Sequence, residues 1–207
     1  MNHSRTFRNW SRSVCSLAFI CLAPFATAES RLDTTARERG VALAARTFGV
    51  LSSNLMTAFS QGGVSNALQF CSTAAQPLTA SVADTNQIVI RRISHKARNP
   101  KNRAGAAELA ILDEFRATLA AGRPVAPLVQ TNAPGGATFF APIVLNNPLC
   151  LNCHGQSGPE IKPEHQEIIR QLYPEDQATG FKLGELRGLW RIDFQPAALS
   201  GMTPHAP

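Results

Sequence analysis

The chain has 207 residues, 44% of them hydrophobic and 16% charged, which is apolar enough to bury a core and excludes a mainly disordered polypeptide. The formal net charge is +6, from 20 Lys and Arg against 14 Asp and Glu. Three of those bases, Arg5, Arg8 and Arg12, fall in the first 28 residues, and the surplus left behind is too mild and too evenly spread to argue for nucleic acid.

Those three arginines form a positive opening. An apolar run follows over residues 14–23, and then Ala26-Thr27-Ala28 puts small residues at the two positions that signal peptidase reads. The pattern predicts a secretory signal over residues 1–28, cleaved after Ala28, and hence a periplasmic or otherwise extracytoplasmic protein. The apolar run is about ten residues, against the ~20 that a bilayer span needs. Bulky Ile20 before Cys21 argues against a lipid anchor, and no adjacent arginine pair points to the twin-arginine route. No second long apolar run follows, so no membrane span is expected in the mature chain. Residues 29–200 are expected to form one domain, and residues 201–207 a flexible tail.

Residues 32–60 read as one long helix, with Leu43, Leu51, Leu55 and Phe59 on one face and Arg37, Glu38 and Arg39 on another. Gln61-Gly62-Gly63 ends it. Residues 64–83 read as a second helix. Val64, Leu68, Cys71, Ala75, Leu78 and Val82 recur there at three- and four-residue steps, and Pro77 kinks or shortens it. Residues 87–93 read as a strand. A helix is predicted over 104–121, with Leu109, Leu112, Phe115 and Leu119 inward and Gly122 as its stop. Strands follow near 125–130 and 138–145, then a turn at Asn146-Asn147-Pro148, a short helix over 163–172 and a last strand over 186–194 that contains Trp190. Helices first and antiparallel strands after them predict an α+β fold.

Five cysteines become three once Cys15 and Cys21 leave with the leader. In an oxidising compartment thiols tend to pair, and three is odd. The spacing Cys150-Leu151-Asn152-Cys153-His154 removes the puzzle. Two thiols three positions apart can each add to one vinyl group of a haem, and the histidine directly after the second supplies an axial imidazole. One covalent haem c is therefore expected, attached through Cys150 and Cys153, with His154 as a metal ligand. Gly155 lets the backbone turn away close to the ring. A thioredoxin-like dithiol would need a βαβ setting. A zinc site would need a fourth ligand and usually a second paired cluster. A disulfide across two intervening residues would be strained.

The residues leave the other axial position open. Cys71 lies on an apolar helical stripe and, from the residues alone, reads first as a small buried hydrophobe and second as a ligand. Met56, Met202, His95, His165 and His205 are its rivals. The segment 91–103 holds six Lys or Arg residues. It is either a solvated turn or a source of guanidinium forks for haem propionates, from Arg91, Arg92 or Arg98. Arg91 and Arg98 are taken as the cofactor-binding candidates.

Several pieces in order carry a family likeness: Phe70-Cys71-Ser72, Ile90-Arg91-Arg92-Ile93-Ser94, Arg98-Asn99-Pro100-Lys101-Asn102, Cys150 to Gly155, Tyr173-Pro174, Ala178-Thr179-Gly180-Phe181 and Gly184-Glu185-Leu186-Arg187-Gly188. Over about residues 35–195 the chain resembles the DUF3365 or Tll0287-like haem-domain family. The resemblance implies a PAS-like antiparallel sheet flanked by helices. It also implies one covalent haem, held by His154 with the thiolate of Cys71 opposite. Many members join this domain to a membrane helix and signalling modules; neither is expected here, so a sensor role does not carry over from the resemblance.

Three functions compete on this reading. The first is low-potential electron transfer with a redox partner protein, because a thiolate donates charge and favours ferric iron. The second is a redox or gas sensor for nitric oxide or carbon monoxide, in which Cys71 leaves the iron. An enzyme such as a peroxidase ranks lowest, since no distal acid/base set is visible.

Overall fold

The computed structural model describes residues 28–200, together with Met1. Apart from Met1 and Ala28, the expected leader lies outside the described residues, as does the tail with Met202 and His205.

The chain opens with α1, Ala28–Thr73, a helix interrupted at Gly62 (φ −163°, ψ 26°) and Gly63 (φ 64°, ψ −153°). The expected stop at the paired glycines is thus a break within one long element, and the helix resumes at once. Gly63 takes the left-handed conformation that glycine adopts at no steric cost. Asn66 Nδ2 reaches back over the break to donate to Ala58 O at 2.9 Å, which satisfies a carbonyl the break releases. A second interruption at Ala74 precedes α2, Ala75–Ser81. Pro77 falls in the first turn of α2, where its missing N–H leaves no helical bond unmade.

Four strands follow, β1 (Ile88–Ile93), β2 (Leu128–Asn132), β3 (Gly136–Val144) and β4 (Leu186–Phe194), in the sheet order β1-β4-β3-β2. Every pairing is antiparallel. Period-two alternation divides the sheet into two apolar faces. Ile88, Ile90, Phe139, Trp190 and Ile192 face Ala36, Leu43, Ala44 and Leu51 of α1. Ile93, Phe140 and Leu189 face Ile111, Leu112 and Phe115 of α3, Ala106–Ala120. The architecture is α+β, a PAS-like antiparallel sheet between helices with a long amino-terminal helix.

Two expectations are corrected. Leu109 is 38% exposed rather than inward. Glu108 takes the inward position instead, because its carboxylate accepts Gly105 N–H at 2.8 Å at the start of α3 and also accepts from Arg191. Strand β2 begins at Leu128, later than the predicted 125. Pro124 and Pro127 have no N–H for a sheet ladder, and pairing starts only after them. The helix over 163–172 (α5, Pro163–Leu172) and the last strand fall where they are predicted. A one-turn α6, Pro196–Leu199, closes the described chain. Among the described residues no helix is long and apolar enough to cross a membrane.

The approach of α1 to the sheet depends on Gly40. A Cβ there would lie 2.3–2.6 Å from ring atoms of Phe139, which is fully buried. Gly40→Ala is therefore expected to destabilise the fold by about 1–3 kcal/mol through overpacking, despite alanine's better helix propensity. Urea unfolding measures it; an unchanged or raised midpoint would show that α1 is free to shift.

Candidate functional site

The Cys150–His154 motif is presented by two short turns. Asn147 Oδ1 accepts from Leu149 N–H at 2.9 Å and caps a 3₁₀ turn, Pro148–Cys150. The helix α4, Leu151–His154, follows directly. Gly155 then has to be glycine: a Cβ would meet Glu160 Oε2 at 2.2 Å and Leu151 O at 2.8 Å. The 178–181 segment is laced to the same turn, with Phe181 N–H donating to His154 O (2.9 Å) and Gly180 N–H to Gly155 O (2.7 Å). Cys150 packs with Leu145, Ala178 and Phe181. Cys153 packs with Val64, Leu68, Ile161 and Ile169. The thiols of Cys71, Cys150 and Cys153 are all free of disulfides.

The imidazole of His154 is held in one tautomer. Its Nδ1 lies 2.8 Å from Ala178 O, and a carbonyl can only accept, so Nδ1 carries the proton and Nε2 the lone pair. Arg187 Nε also lies 3.4 Å from Nδ1. A protonated Nδ1 cannot accept, so the longer contact is packing alone. Burial pushes the His154 pKa well below its ordinary value, and Arg187, Arg98 and Arg92 add to the effect. The ring stands edge-on to Phe181 at 6.3 Å, and His95 stands edge-on to the same ring at 5.9 Å.

Arg98 is the structural tie of the site. Its Nε and Nη2 donate to the two oxygens of Asp176 at 3.0 and 3.2 Å, and Nη2 also donates to Cys153 O at 2.5 Å. Both side chains are under a tenth exposed. Arg92 has no such arrangement: its Nε is buried without a hydrogen-bond partner. Burial lowers the pKa of Arg92, while Cys71 and Tyr173 raise it. Arg187 donates to Ser94 Oγ (3.0 Å) and Lys96 O (3.1 Å), and burial, with Arg98 and Arg92 nearby, lowers it to about 9. Burial pushes the Cys71 thiol up, against Arg92 and Arg98. It pushes Cys153 up to about 11 and Tyr173 to about 12.

A charge imbalance results. Of the groups acting on Arg92 and Arg187, Asp176 alone is a carboxylate, and Arg98 already holds both its oxygens. Buried charge without a partner is strongly unfavourable. The set of three free thiols, one neutral imidazole with an available Nε2, and a surplus of buried guanidinium suits an anionic, metal-bearing tetrapyrrole.

The structure brings Cys71, Cys150, Cys153, His154 and Arg98 into this one region. Arg91 is a correction. Neighbouring strand residues point to opposite faces, and Arg91 turns away to Glu108 (3.4 Å), over a cleft of about 470 Å³ that it shares with Arg191 and Asp193. Arg92, and not Arg91, lies near Cys71 and Tyr173. Arg98 is present but engaged with Asp176. Met56 points outward, 48% exposed. His95 adjoins the site through Phe181, and His165 has a buried Nδ1 without a partner.

Arg187 was not singled out by the sequence. The β3–β4 register pairs Ile143 with Gly188 and Val144 with Leu186, so Arg187 is the extra residue of a bulge. Bulges re-aim side chains, which strict alternation cannot foretell. Gly188 permits the approach, since a Cβ there would lie 2.3 Å from Ile93 O.

A family model described as Tll0287-like (Tll0287) matches residues 25–194. Among solved structures the chain is similar to the crystal structure of the cyanobacterial heme-protein Tll0287, with a TM-score of 0.55 at 22% identity, over 76% of this chain and 95% of that one. At that identity the likeness is one of fold. No curated protein matches the chain.

Two outcomes follow from the site's electrostatics. Asp176→Ala strands Arg98 in the interior and is expected to cost about 3–5 kcal/mol, read by chemical denaturation; a loss under about 1 kcal/mol would mean that Arg98 finds water. His154 and His95 both have lowered pKa values in the folded chain, so the unfolded state binds more protons. Stability of the cofactor-free polypeptide is thus expected to hold above the ordinary histidine value of 6.5 and to fall as the pH drops below it. Urea midpoints at about pH 7.5 and about pH 5.5 compare the two regimes, and equal midpoints would contradict neutral burial.

Proposed function

The chain belongs to the Tll0287-like family, and on that footing we propose that it is an extracytoplasmic haem protein with one c-type haem, working in low-potential electron transfer. Cys150 and Cys153 would form the two thioether bonds, and His154 and Cys71 would supply the axial ligands. The observation that carries the proposal is the convergence on one region of free thiols, a histidine held at Nδ1 by Ala178 O, and buried arginines without carboxylates.

Haem iron supplies the one-electron couple. The chain does the rest. Ala178 O holds His154 in the tautomer that would leave Nε2 free to hold the iron, as outer carbonyls do for metal-bound histidines. Arg98 anchors Cys153 O and keeps α4 in register with Asp176 and Ala178. Arg92 and Arg187 offer planar cationic forks to the propionates, the part first sought from Arg91 and Arg98. Val64, Leu68, Ile161, Ile169 and Phe181 exclude water. A thiolate from Cys71 would lower the potential of a haem held there, and the two guanidiniums would work in the opposite sense.

One feature favours a second reading, a haem-based redox or gas sensor. Cys71 rides on a short helical piece bounded by the Gly62–Gly63 break and the interruption at Ala74. Burial raises its pKa, which favours a neutral thiol once it is off the metal.

The purified exported protein is expected to be coloured, to exceed the mass of the bare polypeptide by one haem, and to keep the colour through acid–acetone extraction. Cys71→Ala is expected to abolish a low-spin thiolate signature in the electron paramagnetic resonance spectrum. A colourless protein of bare polypeptide mass overturns the proposal, and an unchanged mutant spectrum removes Cys71 as ligand. Rapid carbon monoxide uptake by the reduced protein selects the sensor, and no uptake selects the electron carrier.

A further inference from the structure

The adjacent arginines of β1 point to opposite faces of the sheet, and the haem proposal uses only Arg92. Arg91 shares the α3 face with Val89 and Ile93. The helix α3 covers that face at the end formed by Ile93, Phe140 and Leu189. At the other end Val89, Arg91, Thr138, Arg191 and Asp193 line the cleft of about 470 Å³. That volume falls within the ~300–1,000 Å³ usual for small-molecule sites. Pro134, in the β2–β3 turn, and Pro196 of α6 add apolar lining.

The charged groups of the cleft are unequally satisfied. Arg191 stands directly across from Arg91 in the β1–β4 register, a like-charge pair that is unfavourable unless bridged. Glu108 bridges it unevenly. Its Oε1 accepts closely from Arg191 Nη1 but lies 3.4 Å from Arg91 Nη2, and its Oε2 is taken by Gly105 N–H. Both oxygens of Asp193 accept from Arg191 at 2.9–3.0 Å, and Thr138 Oγ1 donates to one of them at 2.9 Å. Arg191 thus engages both carboxylates. Among the described residues Arg91 has only its one long contact, beyond the ~2.7–3.2 Å of an ordinary N–H···O bond. Its side chain is 43% exposed, and Val89 on the same face is 46% exposed.

An arginine on a flat, solvated sheet face needs no ligand. Arg91 differs in standing at the wall of a cavity, with donors to spare and an open apolar side chain beside it. We propose that this cleft is a binding site for a small monocarboxylate with an apolar body. The guanidinium of Arg91 would donate to both carboxylate oxygens, and the body would lie against Val89, Pro134 and Pro196. The charges favour a monoanion. Two guanidiniums and two carboxylates leave the cleft neutral, so a single negative charge is drawn to Arg91, the least engaged of the four. A dianion such as hydrogen phosphate meets twice the repulsion from Glu108 and Asp193 and has no second unengaged guanidinium to offset it. The inference is independent of the haem proposal, because Arg91 and Arg92 face opposite ways.

Isothermal titration of the purified protein with sodium benzoate, in a buffer free of other carboxylates, tests it. One site per chain is expected, with a Kd of about 1 mM or below. Arg91→Gln is expected to weaken binding at least ~10-fold. Glu108→Gln is expected to tighten it at least ~3-fold, because the change releases Arg91 and removes a repelling charge, while glutamine can still cap Gly105 N–H. A merely structural Arg91–Glu108 pair would not give these opposite effects. In the unsubstituted protein, benzoate ring protons are expected to show nuclear Overhauser contacts to the Val89 methyl groups. No saturable binding up to about 20 mM benzoate overturns the proposal. So does undiminished binding by Arg91→Gln, or tighter binding of inorganic phosphate than of benzoate.

Discussion

The site is held together by one buried ion pair. Arg98 and Asp176 come from distant parts of the chain, and the same guanidinium donates to the carbonyls of Cys153 and Ala178. A buried pair of this kind adds little net stability, because desolvation offsets most of the attraction. Its value is geometric. The planar fork gives α4, the loop after α5 and the loop after β1 one common tie. Ala178 O is where it is because of Arg98, and His154 Nδ1 is where it is because of Ala178 O.

Around that fixed pair the protein accumulates positive charge that it does not neutralise. Arg92 and Arg187 are both deeply buried beside Arg98, and each has its pKa lowered chiefly by burial. Burial also pushes the Cys71, Cys153 and Tyr173 pKa values up and that of His154 down, so that each favours its neutral form. Such a region is poised for an anion and for a soft metal ligand at once. The two sheet faces, by contrast, are packed in the ordinary way with Phe139, Trp190, Leu189 and Leu112.

Much of this was legible in the sequence, and what was not has definite causes. The Cys150–His154 spacing and the helix over 163–172 rest on local rules, and local rules suffice for them. The stripe of Cys71 pointed to the interior, but its neighbours, Arg92 and Arg98, arrive from β1 and the loop beyond, which periodicity cannot place. Arg91 and Arg92 are adjacent and chemically identical. Only the parity set by Ile88 and Ile90 against the α1 face distinguishes them, and that parity was available but unused. Leu109 was misplaced because Glu108, a polar residue, occupies an inward position through its cap and its arginine partners. Arg187 was beyond reach, since it depends on a one-residue register slip between β3 and β4.

The two special contacts of α1 have opposite mechanical characters. At Gly40 the helix is seated against the Phe139 ring with no space to rotate or slide. At Gly62 and Gly63 its backbone is uncoupled. The seated portion of the rod and the portion that bears Cys71 are thus joined by a backbone break bridged by the Asn66–Ala58 bond, and not by continuous helix.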